Sequence, residues 1–483
     1  MSSVKKNYIY NVGYQLLQFI LPLLTAPYLA RVLGAEGVGI YSYTNSIASY
    51  FVLFGMLGIT NHGSRAIAMT RDDYAARNKA FCKIYNIQRI SAGIALVVYF
   101  IFILFVADKY RLYSILQIFY VLSALFDITW LFNGIENFKI TTIRNCAVKI
   151  VSVCAIFIFV RDSSDVWLYV IIMSSSFLLS QLIMWTQITK YVSFVRVPLK
   201  ECIGELKPIF TLFVPIIAYT IYRIMDKIML GAITGDMVQM GWYENADKII
   251  SIPIGLITAL GTVMLPRISN LVSKNDNSSV NSMIENSFVF SSLIAFSTGF
   301  GLMAIGNVLA PVMFGNEFLG CGTLIVLLSI SIPFVSWANV IRTQYLIPNK
   351  RDSVYLLSTS IGAVVNFVFN TALIPIYGAV GAVIGSILAE ASVFIIQIVM
   401  VNKELPIRSL LKLSLPYIII GVIMYIGVKG VVVVLPCNVF GLCAAIIIGI
   451  LLYAVLLFIY SMYSLDCIGI FMRSKFKRKD KKC

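Results

Sequence analysis

Apolar runs of about twenty residues recur along this chain, and each is long enough to cross a bilayer as a helix. Fourteen can be read, at roughly 8–33, 39–59, 85–106, 113–133, 141–160, 166–188, 208–233, 244–265, 287–313, 320–346, 354–375, 378–401, 411–434 and 439–463. In hydrocarbon every backbone amide must find its partner within the structure, which leaves helices or a closed barrel. The runs lack period-two alternation and turns every ten residues, so a barrel is excluded. The predicted fold class is an all-α polytopic membrane protein with about 14 transmembrane helices. Composition agrees: 12% of residues are charged and 59% hydrophobic, against about 25% charged in soluble domains. The first run is too long, and too closely followed by another, for a cleaved signal.

Basic residues set the orientation. With the N-terminus inside, most of the 38 Lys and Arg fall in alternate, cytoplasmic segments, among them Arg65 to Lys83, Lys190 to Lys207 and the tail from Arg473. Both termini are therefore expected in the cytoplasm of a cell membrane. The net charge of +16 is mostly topological, and the tail "RSKFKRKDKKC" reads first as an anchor, secondarily as a contact for membrane lipids. Nucleic acid is not an expected partner, because no folded basic domain is present.

Catalysis finds little support. The loops are short and hold no paired carboxylates, no Gly-rich phosphate cradle and no Walker A sequence. The nine cysteines show no CxxC spacing, so no zinc site is indicated. No cofactor, metal or catalytic residue is expected. The single histidine, His62, reads as a loop or interface residue.

An internal repeat favours a transporter. "RVLGAEGVGIYSY" (31–43) joins the first two runs, and "IMLGAITGDMVQMGWYENA" (228–246) joins the seventh and eighth. Leu33-Gly34 matches Leu230-Gly231, and Gly39-Ile40-Tyr41 matches Gly241-Trp242-Tyr243. An even number of spans per repeat makes the halves parallel, related by an axis along the membrane normal. The expected domains are an N-lobe at 1–207 (helices 1–6), a C-lobe at 208–402 (helices 7–12), two further helices at 403–464 and a basic tail at 465–483. Rocking of the lobes would alternate access to a cavity between them.

Several segments resemble the Wzx-type polysaccharide flippases. These are "NYIYNVGYQLLQFILPLLTAPYLARVLGAEGVGIYSY", "GITNHGSRAIA", "WLFNGIENFKITTIRN", "YENADKIISIPIGLITALGTVMLPRIS", "RTQYLIPNKR" and "NFVFNTALIPIYGAVGAVIGSILAE", in order from about residue 7 to 400. The family belongs to the multidrug/oligosaccharidyl-lipid/polysaccharide exporter superfamily, so the resemblance implies two lobes of the kind found in MATE transporters and MurJ. It also implies movement of an undecaprenyl-diphosphate-linked oligosaccharide to the outer leaflet, for capsule, exopolysaccharide or O-antigen assembly. Glycosyltransferases and a polymerase of the same pathway would be partners. "YENADKI" is similar to a lipid II flippase pattern that places a basic residue at Lys248, although the second helix here lacks an arginine found there.

A diphosphate head calls for cations in a low-dielectric, wet cavity, where charge-assisted hydrogen bonds are strong. Arginine supplies bidentate contacts and lysine a point charge. A charge at the centre of a membrane helix costs at least about 2.5–3.5 kcal/mol, yet "YRIMDKIMLG" (222–231) carries three. Arg223 and Lys227 share a face, and Asp226 can pair with Arg223. The substrate-binding candidates are Arg31, Arg223, Lys227 and Lys248 for phosphate, with Asp226 holding Arg223 when the site is empty. Tyr222, Tyr243, Asn366 and Asn370 are the sugar-binding candidates, with Tyr28, Tyr41, Asn45 and Asn245 as weaker ones. Plainer readings stand beside these: Arg31 snorkelling, Lys248 as an outer anchor, Asn366 and Asn370 as interhelical glue. Glu390 and Asp247 are the carboxylates available to couple transport to Na+ or H+, and membrane potential is a third drive. A drug/cation antiporter of the same superfamily, or a membrane polymerase, is the alternative; an antiporter cavity would be acidic.

Overall fold

The computed structural model describes residues 4–107 and 109–463, without the side chains of residues 4–20, 215, 218, 219, 221, 222 and 463. The basic tail expected at 465–483 lies outside the described residues. Among the described residues every regular element is a helix, the class the apolar runs demand. Among the described residues ten helices are long and apolar enough to cross a membrane, and eleven if two helices meeting at a 46° bend form one span. The expectation of fourteen includes three more runs, two fused in the first helix and one carrying the mid-helix charges, which fall outside that count. The chain divides into two compact units, Met1–Gly241 and Trp242–Cys483.

In the first unit α1 (Val4–Met56) fuses the first two apolar runs across Gly34, whose φ of 69° and ψ of 177° break the helix there. Glycine occupies such positive-φ positions without steric cost. α2 (Ile59–Met69) follows Leu57 and Gly58, then α3 (Tyr74–Phe105). The fourth run is broken into α4 (Arg111–Leu116), α5 (Ile118–Phe126) and α6 (Thr129–Gly134). α7 (Phe138–Phe159) and α8 (Val166–Trp185) complete the sequence of long helices before α9 (Leu199–Ile203) and α10 (Leu206–Thr234).

The core of this unit forms around Trp130, which is fully buried and stacked on Phe81 at 5.3 Å between ring centroids. The break between α5 and α6 frees carbonyls that must be satisfied inside the protein. Gln88 does this: its Nε2 donates to the carbonyls of Ala124 and Asp127, while its Oε1 accepts from Trp130 Nε1 at 3.0 Å.

α11 (Met237–Ser273) begins in the first unit and continues into the second. There it is followed by α12 (Asn277–Phe314), then α13 (Leu319–Leu328) and α14 (Ser331–Ile341), which meet at the 46° bend. A π-turn at Arg342–Leu346 closes α14. α15 (Asp352–Tyr377), α16 (Ala379–Val401), α17 (Ile407–Val434) and α18 (Val439–Tyr463) follow. α15 and α16 approach closely through small residues, the arrangement that lets membrane helices gain dispersion contacts; a Cβ on Gly381 would sit 2.4 Å from the Leu373 carbonyl oxygen. Trp337 stacks on Phe288 at 5.6 Å and donates its Nε1 hydrogen to Ser292 Oγ at 2.9 Å.

The two cores repeat one device. Phe81 and Trp130 of the first recur as Phe288 and Trp337 of the second, 207 residues later in both cases. The glycines matched in the sequence repeat also meet: a Cβ on Gly39 would lie 1.8 Å from the Met237 carbonyl oxygen, and one on Gly241 2.0 Å from that of Ala35. Both helical positions are glycine because backbone lies directly on backbone there.

Candidate functional site

The charged trio sits on α10, eight to twelve residues before the left-handed Gly235 that ends the helix. At about 1.5 Å per residue this is roughly 12–18 Å from the helix end, well inside the span. Asp226 is buried, while Arg223 and Lys227 are half-buried. Each of the three makes polar or electrostatic contacts within the protein. α10 packs on the second half of α1: a Cβ on Gly231 would strike the ring of Tyr43, and Ile228 joins the cluster around Ile47, Ala48 and Tyr99. Tyr50, one further turn along α1, lies within electrostatic reach of Asp226. Asn45 on the same stretch of α1 has a buried amide oxygen that accepts no hydrogen bond from the protein. α1 thus brings the phenol of Tyr50 within electrostatic reach of the charged stretch of α10. Tyr222 is on this helix, but its side chain lies outside those described.

Arg31 belongs elsewhere in depth. It is exposed on α1 within one turn of Gly34, at the end of the span, whereas Arg223 is about three turns from its own helix end. Tyr28 donates its hydroxyl hydrogen to the Val160 carbonyl at 2.6 Å, which ties α1 to the end of α7. Tyr41 packs against Tyr169 with ring centroids 4.4 Å apart.

Lys248 lies in the second unit, on α11. Its Nζ is 3.2 Å from Glu244 Oε1, one turn back, and 3.4 Å from Asn245 Oδ1. Asn245 is buried and its Nδ2 has no partner in the protein. Asp247 is half-buried beside them. Tyr243 Oη and Ser386 Oγ are 3.2 Å apart, joining α11 to α16. Asn366 and Asn370 are fully buried on α15, and Asn370 Nδ2 donates to Asn366 Oδ1 at 3.2 Å. Gly385 of α16 packs against Asn370 so closely that a Cβ there would fall 2.1 Å from Asn370 Oδ1. This amide pair therefore lies in the α15–α16 seam. Glu390 is buried on α16 with contacts of its own. Among the described residues no group of three or more His, Cys, Asp or Glu is placed to hold a metal ion.

The sequence reading missed a cavity of about 560 Å³ in the second unit, lined by α11, α12, α17 and α18. Its wall is almost wholly apolar, including Ile252, Leu302, Ile305, Met424, Ile446 and Ile450. The signal for it is small residues on facing helices, such as Gly301 and Gly449, which leave room between spans. Lys248 and Ile252 are four residues apart on α11, so a cation stands one helical turn from a residue of the apolar wall.

Comparison with known proteins agrees with this architecture. Residues 4–272 match the model of a family described as polysaccharide biosynthesis protein. A putative O-antigen transporter from Shigella dysenteriae is 24% identical over 399 residues, covering 82% of this chain and 99% of its own length. Among solved structures, the lipid II flippase MurJ in an inward closed conformation superposes with a TM-score of 0.75, at 16% identity, over 94% of this chain and 98% of that one. An inward-facing multidrug resistance MATE family transporter of the MOP superfamily gives a TM-score of 0.58, at 14% identity, over 82% and 99% of the two chains. With a match across more than half its length, the chain belongs to the polysaccharide biosynthesis protein family.

Proposed function

We propose that the protein is a flippase that moves an undecaprenyl-diphosphate-linked oligosaccharide from the cytoplasmic to the outer leaflet by alternating access. The observation that carries this reading is the placement of Lys248 one turn from an apolar groove on the same helix. A prenyl-diphosphate sugar is itself a cation-seeking head on an apolar chain. The groove, at about 560 Å³, falls within the range of sites that take small ligands and suits part of the prenyl tail. In this reading phosphate displaces Glu244 from Lys248 in the second unit, and Arg223 and Lys227 are phosphate ligands of the first, with Asp226 holding Arg223 when no substrate is bound. Arg31 meets the head at the end of the span. The buried amides Asn45 and Asn245, with Asn366 and Asn370, are the sugar-facing candidates, alongside Tyr222 and Tyr243. Glu390 and Asp247 are the proposed coupling carboxylates. The names of the relatives, an O-antigen transporter and a lipid II flippase, support a substrate of this chemical type.

The rocking units are proposed as the lobes at 1–207 and 208–402, with the helices of 403–464 as an appendage and both chain ends in the cytoplasm. An inside-negative potential would favour outward movement of the anionic head by about 2.3 kcal/mol per charge per 100 mV. Proteoliposomes holding the purified protein and a labelled lipid-linked oligosaccharide test the reading. Leaflet transfer above that of protein-free vesicles is expected; equal rates with and without protein, under Na+, H+ and potential gradients alike, refute it.

A further inference from the structure

A second pocket, of about 550 Å³, opens in the first unit where α2 meets the start of α10. Its wall includes His62, Arg65 and Met69 from α2, with Lys207 and Thr211 from α10. The site is built on a rigid floor. Gly58, just before α2, is pressed on α10, where a Cβ would lie 2.2 Å from the Ile209 carbonyl oxygen, and Gly63 is pressed on the Trp130 ring. His62 Nε2 is 2.8 Å from Glu205 Oε2, which pins the two elements together. Glu205 is thereby engaged with His62, while neither Arg65 nor Lys207 has a carboxylate within ion-pair distance among the described residues. Two cations on separate helices therefore face one pocket, neither in a direct ion pair, and they outnumber the one carboxylate, Glu205, held at its edge by His62.

The surroundings say what kind of anion fits. Met69 in the wall is 71% exposed, and beside the pocket Ile203 and Phe210 are 62% and 49% exposed. A soluble anion gains nothing from such apolar side chains, whereas a lipid places its phosphate beside cations and its chains beside hydrocarbon. We propose that this pocket binds the phosphoryl head of a membrane lipid, with Arg65 and Lys207 as its ligands, separately from the charged cluster on α10. The chemistry is shared by two sources, an anionic phospholipid and a prenyl diphosphate. The inference does not rest on the transport reading, since it concerns binding without translocation.

The test titrates the full-length protein with phosphatidylglycerol, phosphatidylcholine and undecaprenyl diphosphate and counts bound lipid by native mass spectrometry. Wild type is expected to retain the phosphate-rich or anionic lipids over phosphatidylcholine. The double variant R65Q/K207Q should bind them roughly 30-fold more weakly, about fivefold per charge. Loss for phosphatidylglycerol alone assigns the site to bulk phospholipid, loss for undecaprenyl diphosphate alone assigns it to the isoprenoid, and loss for both assigns it to the phosphoryl head whatever its chain. Lys200→Gln, a nearby exposed lysine outside the pocket wall, should leave binding unchanged. The proposal is overturned if R65Q/K207Q binds as wild type does while keeping its unfolding midpoint, or if K200Q lowers binding equally. It is also overturned if wild type shows no preference for anionic lipids.

Discussion

The two units share a core and differ in what they leave open. Each buries a tryptophan against a phenylalanine of the preceding span, at the same separation of 49 residues. Around these cores both units keep buried and half-buried charge, at Arg223, Asp226 and Lys227 in the first and at Glu244, Asp247, Lys248 and Glu390 in the second. The second also opens an apolar groove of about 560 Å³ beside its charges. A duplicated scaffold whose halves differ in this way suits a substrate that is itself half polar and half apolar. The core sets the geometry, and the chemistry lies in positions the repeat left free to diverge.

The shared core can be broken first, with the largest effect. Trp130→Ala and Trp337→Ala should each destabilise their unit by about 3–5 kcal/mol, the usual cost of emptying such a site. The first should cost more. It leaves Gln88 Oε1 buried without its donor, which adds about 1–3 kcal/mol. Ser292, by contrast, still has the Phe288 carbonyl and Ser414 Oγ as partners. Unfolding of the full chain in micelles measures both; a larger loss from Trp337→Ala would show that the hydrogen bonds do not distinguish the cores.

The polar share of the first unit is the next target. Arg223→Gln with Lys227→Gln removes two charge-assisted contacts, each typically about 1.5–3 kcal/mol. Leaflet transfer per folded protein should fall on the order of 100-fold, and folding should weaken as well, because the buried Asp226 loses its countercharges. Unchanged transfer would mean that the trio is a structural cluster and that the comparison of polar and apolar halves fails.

How far the sequence discloses this arrangement depends on the kind of residue. The spans and the all-α class are legible because apolar length is a one-dimensional property. The contact of Gly39 with Gly241 is half legible: the repeat pairs them, but only the fold shows backbone against backbone. Phe81 and Trp130 are invisible as a pair, because aromatic residues are scattered through every span and nothing local marks which two will stack. Lys248 illustrates the harder case. Its charge and depth can be read along the chain, and so can Glu244 one turn away, yet the apolar wall beyond it is assembled from four helices. Arg31 and Arg223 look equivalent as cations near or within spans, but they lie at different distances from their helix ends. A role written in sequence-distant neighbours cannot be recovered from spacing.

The apolar share of the second unit is tested by filling it. Gly301 has only Met424 near the place of a Cβ, at 3.8 Å, so Gly301→Phe can project into the groove without striking backbone. Transfer of a long-chain undecaprenyl substrate is expected to drop about tenfold, the scale of losing contact along one or two buried methylenes' worth of chain. A short-chain analogue carrying the same sugar should be affected less. Equal loss for both chain lengths would detach the groove from the tail.

The smallest effect concerns how each unit ties its loops. In the first, Glu201 on α9 takes Lys79 at 2.8 Å and Lys83 at 3.3 Å from α3. In the second, Glu404 after α16 takes both Arg351 and the Tyr345 hydroxyl. Hydrogen bonds from Lys79 and then Lys83 hold the Glu201 carboxyl below its ordinary range. A carboxylate whose pKa is lowered by folding contributes stability that is present above its unfolded pKa and is lost as pH falls through the lowered folded value. Glu201→Gln should therefore speed amide exchange in α9 at neutral pH and make no difference once acid has protonated the carboxyl in both states. High salt should shrink the neutral-pH difference, because these side chains are open to solvent. Glu404→Gln should act more strongly on its own loop, since it loosens a tyrosine as well as an arginine. If the two variants were equal at neutral pH and equally insensitive to acid, the lysine clamp of the first unit would contribute no more than a surface contact, and the units would differ in their cavities alone.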